Sequence, residues 1–173
     1  GSRDHTVRLW ARSNGDILRA FAEHTAEILA IRVHGRRALS ASWDDTLRLW
    51  HADRSACTWN MTGHTESVFC MELDANVAVS GGGDGVVRAL DLTHRVDLAV
   101  CDEDCGGHAR DEEVYCLAWN QEIVASGAAD SVVCLWSRTS WHLLARLDGH
   151  VGVVRSICID GWKLVSGGDK RKV

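Results

Sequence analysis

The chain has 173 residues, 46% of them hydrophobic, which suits one folded domain and excludes a disordered or fibrous composition. Its 19 basic and 24 acidic residues give a net charge of −5, which speaks against a general nucleic-acid binder. No apolar run reaches the length of a membrane span and no signal peptide opens the chain, so an intracellular protein, cytoplasmic or nuclear, without membrane contact is expected.

Seven Cys is an odd number. Cys70, Cys116, Cys134 and Cys158 fall inside apolar strand patterns, where Cys acts as a small buried hydrophobe, so a reducing compartment fits better than a disulfide framework.

Taken in order, the chain opens with two short strands, 6–10 and 17–21. Four strands follow at 28–33, 38–40, 46–50 and 56–60. A second set runs through 68–73, 77–80, 86–90 and 96–100, and a third through 114–119, 123–126, 132–136 and 142–147. Two more strands, 153–159 and 163–166, end the chain. Each run is rich in β-branched and aromatic residues and bounded by Gly, Asp, Asn or Ser. No segment keeps a 3.6-residue apolar period, so no helix is expected.

One phrase recurs through this series: a turn, then a strand that closes on a large apolar residue. It occupies 2–10, 42–50, 82–90 and 128–136, and its Asp residues, Asp4, Asp44, Asp84 and Asp130, are 40, 40 and 46 apart. A fixed period near 40 residues marks a repeat architecture. Three complete four-stranded units (22–61, 62–100 and 101–148) are expected between two complementary halves, 1–21 and 149–173.

Each unit carries Gly-His or its remnant, then Ser, then Asp four residues on, then Trp. Gly63-His64 and Gly149-His150 are complete dipeptides, His24 follows Glu23, and His108 follows Gly107. In this the chain resembles the WD-repeat β-propeller family over essentially its whole length. The resemblance implies an all-β partial propeller of about four blades, each of four antiparallel strands.

It also implies a buried hydrogen-bond network in each blade. The members are His24, Ser40, Asp44 and Trp50 in the first unit, and His108, Ser126, Asp130 and Trp136 in the third. The second has His64, Ser80 and Asp84, with Leu90 in the place of Trp. In the last unit His150 and Ser166 remain, but Lys170 stands where Asp is expected and Asp169 arrives one residue early. Either that turn is shorter or the network there is broken.

This register accounts for the conspicuous His and Asp residues, and no Ser elbow, phosphate loop or paired-His motif stands in a suitable context. Catalysis, a cofactor and a metal are therefore not expected. Cys101, Cys105 and His108 are close enough in sequence to suggest zinc, but a fourth ligand is lacking. A long acidic loop between blades is the plainer reading.

Binding of proteins or peptide motifs is the stronger expectation, because repeat folds gather loop and strand-end residues on one face. A small-molecule ligand is not expected. Candidate rim residues are those before each turn Asp (Arg3, Trp43, Gly83, Ala129) and the second residue of each inner strand (Leu29, Phe69, Tyr115, Arg155). Trp59, Trp119, Trp141 and Trp162 are read as packing residues.

The short turns and the stretch 159–168 resemble the F-box/WD-repeat subgroup, in which the propeller holds a substrate for a ubiquitin ligase. A general assembly platform in signalling or trafficking, or an accessory domain of an enzyme, are the alternatives. An open arc cut from a larger ring is expected, with exposed edges that invite pairing with a second copy. Closure of the two halves into a four-blade ring is the alternative.

Overall fold

A computed structural model describes residues 2–169. Its three four-stranded antiparallel sheets run in chain order from one edge to the other. The first is β3 (Ile28–His34), β4 (Arg37–Ser42), β5 (Leu47–His51) and β6 (Trp59–Met61); the second is β7 (Val68–Leu73), β8 (Val77–Gly82), β9 (Val87–Asp91) and β10 (Val96–Cys101). The third is β11 (Val114–Trp119), β12 (Ile123–Ala128), β13 (Val133–Ser137) and β14 (Leu143–Leu147). Two-stranded sheets flank them: β1 (Val7–Trp10) with β2 (Ile17–Phe21), and β15 (Val154–Asp160) with β16 (Lys163–Gly168). These are three blades and two half blades of an open, partial propeller.

The hairpins between second and third strands form because the phrase Asp builds them. In each, one carboxylate oxygen accepts the backbone N–H two residues on: Thr6 to Asp4 at 3.0 Å, Thr46 to Asp44 at 3.2 Å, Val86 to Asp84 at 3.1 Å and Val132 to Asp130 at 3.0 Å. The residue after the Asp is left-handed in all four, with φ of 62° at His5, 63° at Asp45, 75° at Gly85 and 68° at Ser131.

Inner strands β3, β7, β11 and β15 lie side by side. The core sits between neighbouring blades, so the second strands are covered on both faces. Leu39, Ala41, Val79, Ala125 and Ser80 are fully buried there. Blade-to-blade contact is close enough to require glycine at two places. A Cβ on Gly81 would stand 2.6 Å from Val114 Cγ1, and one on Gly127 would stand 2.6 Å from Val154 Cγ1. The Cys70 and Cys116 thiols reach across the same joints towards the carbonyls of Val114 and Val154, at 3.3 and 3.5 Å.

Three expectations need correction. The acidic stretch contains a 3₁₀ turn, Glu103–Cys105, although no helix was expected; the Asp102 side chain caps it at the Cys105 N–H, and Gly106 closes it at φ 79°. β6 starts at Trp59 and not at residue 56, because the Cys57 N–H is drawn to the Glu23 carboxylate at 2.7 Å. Trp162 is 89% exposed and packs on no core, whereas Trp59, Trp119 and Trp141 are partly buried against blade cores.

Candidate functional site

Each complete blade holds a chain of hydrogen bonds. In the first, Trp50 Nε1–H donates to Ser40 Oγ at 2.8 Å, Ser40 Oγ lies 2.7 Å from His24 Nε2, and His24 Nδ1 lies 2.7 Å from an Asp44 oxygen. A carboxylate can only accept, so Nδ1 carries the ring proton, and Nε2 accepts from the serine hydroxyl. The third blade repeats this: Trp136 to Ser126 at 3.0 Å, Ser126 to His108 at 2.8 Å, and His108 to Asp130 at 3.0 Å. In the second blade His64 lies 2.9 Å from Ser80 and 3.0 Å from Asp84, and the buried Leu90 supplies no indole.

Burial alone would raise the Asp84 and Asp130 carboxyls, but hydrogen bonds from His64 and His108 outweigh it and hold both below the usual range. Asp44 is lowered in the same way, against burial, by bonds from Thr46, Thr25 and His24. Burial pushes His24 below the ordinary imidazole value even though Asp44 opposes it. These ring nitrogens are fully engaged and sealed from solvent, which leaves them no free position for substrate.

In the trailing half blade the network shrinks to His150 Nε2 and Ser166 Oγ, 2.8 Å apart. Asp169 does not replace the missing Asp; its carboxylate accepts from Arg155 Nε at 2.9 Å. Lys170 lies outside the described residues. In the leading half blade Asp4 accepts from Ser2, Thr6 and Arg8, and among the described residues no His meets it.

The zinc alternative finds no converging ligands. His108 is committed to Ser126 and Asp130, the Cys101 thiol is buried facing the Trp141 carbonyl, and the Cys105 thiol is exposed. Among the described residues no three His, Cys, Asp or Glu side chains gather as a metal site.

The rim has a feature that composition does not carry. In all four inner strands the pairing register slips by one residue, between Ile28 and Ala30, Val68 and Cys70, Val114 and Cys116, and Val154 and Ser156. The skipped residues are Leu29, Phe69, Tyr115 and Arg155. A bulge of this kind leaves one residue out of the ladder and re-aims its side chain.

Three of these four side chains stack along successive blades. The Phe69 and Tyr115 ring centroids are 5.2 Å apart, and the Arg155 guanidinium lies 4.2 Å over the Tyr115 ring. With Arg32, Ser156 and Ile157 they line a shallow depression of about 270 Å³ across the inner strands. Gly83 lies beside the stack: a Cβ there would sit 3.4 Å from Phe69, an ordinary contact, and 2.8 Å from the movable Glu66 carboxylate.

Trp43 stands apart from this stack, half exposed, and its backbone N–H donates to the Glu27 carbonyl at 2.9 Å. Arg3 is 3.6 Å from the Glu27 carboxylate in the same corner. Leu29 is partly buried and Ala129 is buried. The rim candidates thus form two groups, Arg3 with Trp43 and Phe69 with Tyr115 and Arg155.

A family model described as "WD domain, G-beta repeat" matches residues 15–51, 55–91 and 99–137. The chain is 27% identical over 166 residues to pre-mRNA-processing factor 19 homolog 2 of Arabidopsis thaliana, covering 91% of this chain and 31% of that protein. It is 27% identical over 171 residues to the WD repeat-containing protein VIP3 of the same plant, with 91% and 53% covered. Against mitochondrial division protein 1 of Aspergillus terreus it is 26% identical over 137 residues, with 64% and 21% covered. The chain therefore spans from about a fifth to about half of these relatives. Among solved structures, the computationally designed Ika8 protein superposes with a TM-score of 0.89 at 27% identity, covering 97% of this chain and 51% of that one. The designed Ika4 protein gives 0.81 at 27% identity, covering 89% and 92%.

Proposed function

The chain belongs to the WD40 repeat family, whose domains generally mediate protein–protein contacts, and from that premise we propose that it is a non-catalytic scaffold holding a segment of a partner protein on its bulged rim. The observation that carries this reading is the stack of Phe69, Tyr115 and Arg155. These are interface-prone side chains, set out of the strand ladder by bulges and gathered over one depression. Trp43 adds a second exposed aromatic anchor on the same series of turns.

The buried His–Ser–Asp chains support a structural use of the groups that otherwise suggest chemistry. The names of the relatives, which speak of pre-mRNA processing and of mitochondrial division, support a broad assembly role. The narrower reading, a substrate-holding part of a ubiquitin-ligase adaptor, has only the stretch 159–168 behind it.

Affinity capture from cells expressing the wild type, Tyr115→Ala, Trp43→Ala or Leu98→Ala tests the proposal. Leu98 is 42% exposed on an outer strand, away from the rim. The rim variants should lose partners that the wild type and Leu98→Ala retain, with melting temperatures unchanged. The same partners on all four proteins would overturn it.

A further inference from the structure

The loop that leads from one blade into the next is short at three of its four occurrences. Two residues separate the preceding strand from His24, from His64 and from His150, and three more lead to β3, β7 and β15. In the third blade six residues separate β10 from His108, and five lead on to β11. The added residues lie at the end of the strands that carries the turn Asp hairpins and the stack of Phe69, Tyr115 and Arg155.

This long loop concentrates the charge of the molecule. It holds Asp102, Glu103, Asp104, Asp111, Glu112 and Glu113, with Arg110 as its one cation. Six carboxylates against one guanidinium give −5, which equals the net charge of the whole chain, so the remainder is balanced. Arginines at the same end of the strands are committed elsewhere: Arg88 to Asp97 at 2.8 Å, Arg155 to Asp169 at 2.9 Å, and Arg146 to the Gly106 and Gly107 carbonyls. Among the described residues none of the six carboxylates has a cation within ion-pair distance.

The loop and the aromatic stack meet on one hairpin of the second blade. At Gly83 the Phe69 ring and the exposed Glu66 carboxylate lie side by side, so an acid stands at the edge of the first ring. Two residues on, a Cβ on Gly85 would lie 2.5 Å from the Ala109 carbonyl oxygen, so the loop rests directly on the hairpin tip. Between hairpin and loop is a cavity of about 240 Å³, walled by Thr65 and Gly85 of the second blade and by Asp102, Glu103, Arg110 and Asp111 of the loop.

We propose that the partner segment held on this rim is basic: an apolar or aromatic side chain rests on the Phe69 and Tyr115 rings, and a neighbouring Lys or Arg reaches past the hairpin into the cavity beside the acidic loop. This rests on the scaffold reading above and names the chemistry of its partner.

A cation is the occupant that the electrostatics select. A cleft walled by charge of one sign attracts the opposite charge and steers its approach. Glu103 and Asp111 come from opposite ends of the loop and line the same cavity, while Arg110 is exposed and can turn to solvent. An acidic segment would meet the uncompensated charge of the loop. The span also fits. Gly83 and Gly85 are at most about 7 Å apart along the chain, a distance that two side chains on one side of an extended segment cover.

Fluorescence anisotropy of two labelled nonapeptides with the 173-residue chain tests this. Each has a central phenylalanine; one alternates lysine with serine around it, the other glutamate with serine. At about 50 mM salt the lysine probe should bind at least about 10-fold more tightly than the glutamate probe, and the preference should fade above about 500 mM. Neutralising the loop, as Glu103→Gln/Asp111→Asn/Glu112→Gln, should weaken the lysine probe about 10-fold, the scale of three exposed ion pairs, with the melting temperature unchanged. If that variant melts lower, the wild type's preference for lysine over glutamate decides. Asp53→Asn/Glu122→Gln/Asp160→Asn, at exposed positions on the opposite ends of the strands, should change binding by less than about 2-fold. If Tyr115→Ala weakens either probe while loop neutralisation changes neither, the rim binds without regard to charge; the basic partner is then refuted and the scaffold reading stands. If loop neutralisation weakens the lysine probe and Tyr115→Ala does not, the rim reading fails and this proposal falls with it. Equal losses from the two neutralised variants, no binding of the lysine probe below about 1 mM, or a melting temperature raised by calcium and not by the peptide would each overturn it.

Discussion

Removing one hydroxyl should cost the first and third blades more than the second. Ser40 is fully buried between the Trp50 indole and the His24 ring, and Ser126 stands in the same way between Trp136 and His108. Ser80 has only His64, because Leu90 offers no donor. Leaving a buried polar group without its partner costs about 1–3 kcal/mol. Ser40→Ala and Ser126→Ala strand two groups each, so a loss of about 2–6 kcal/mol is expected; Ser80→Ala strands one and should lose about 1–3 kcal/mol. At about 2–4 °C per kcal/mol for a chain of this size, the difference is readable as a melting shift. Urea unfolding followed by tryptophan fluorescence and circular dichroism reads the effect. Equal losses in all three variants would refute the indole's place in the network.

The Asp44, Asp84 and Asp130 carboxyls lie below their unfolded value, so the folded state binds fewer protons and gains stability above about pH 4. That stability is lost as pH falls through the folded values. His24 is also lowered, so a further loss starts as pH falls below about 6.5. Urea midpoints should therefore decline from pH 7 to pH 3, and a flat profile would contradict the assignment. Gly127→Ala should cost about 1–3 kcal/mol, because its Cβ meets Val154 at 2.6 Å. Gly167→Ala, with nothing within 4 Å, should leave the melting temperature unchanged; matching losses for the two would sink the close-packing argument.

What the sequence made legible was whatever a side chain does to its own neighbourhood. The turn Asp residues announce their hairpins because a carboxylate bonding the N–H two residues on is a local event. Strands β2, β7 and β11 match their sequence-predicted bounds because both ends are punctuated. The bulges at Leu29, Phe69, Tyr115 and Arg155 were not legible as bulges. A slipped register depends on which residue faces which across two strands, and no single stretch encodes it. The exposure of Trp162 escaped for the opposite reason: its residue type predicts packing, but it stands in the turn between β15 and β16, where Arg36, Asn76 and Glu122 of the complete blades are exposed as well.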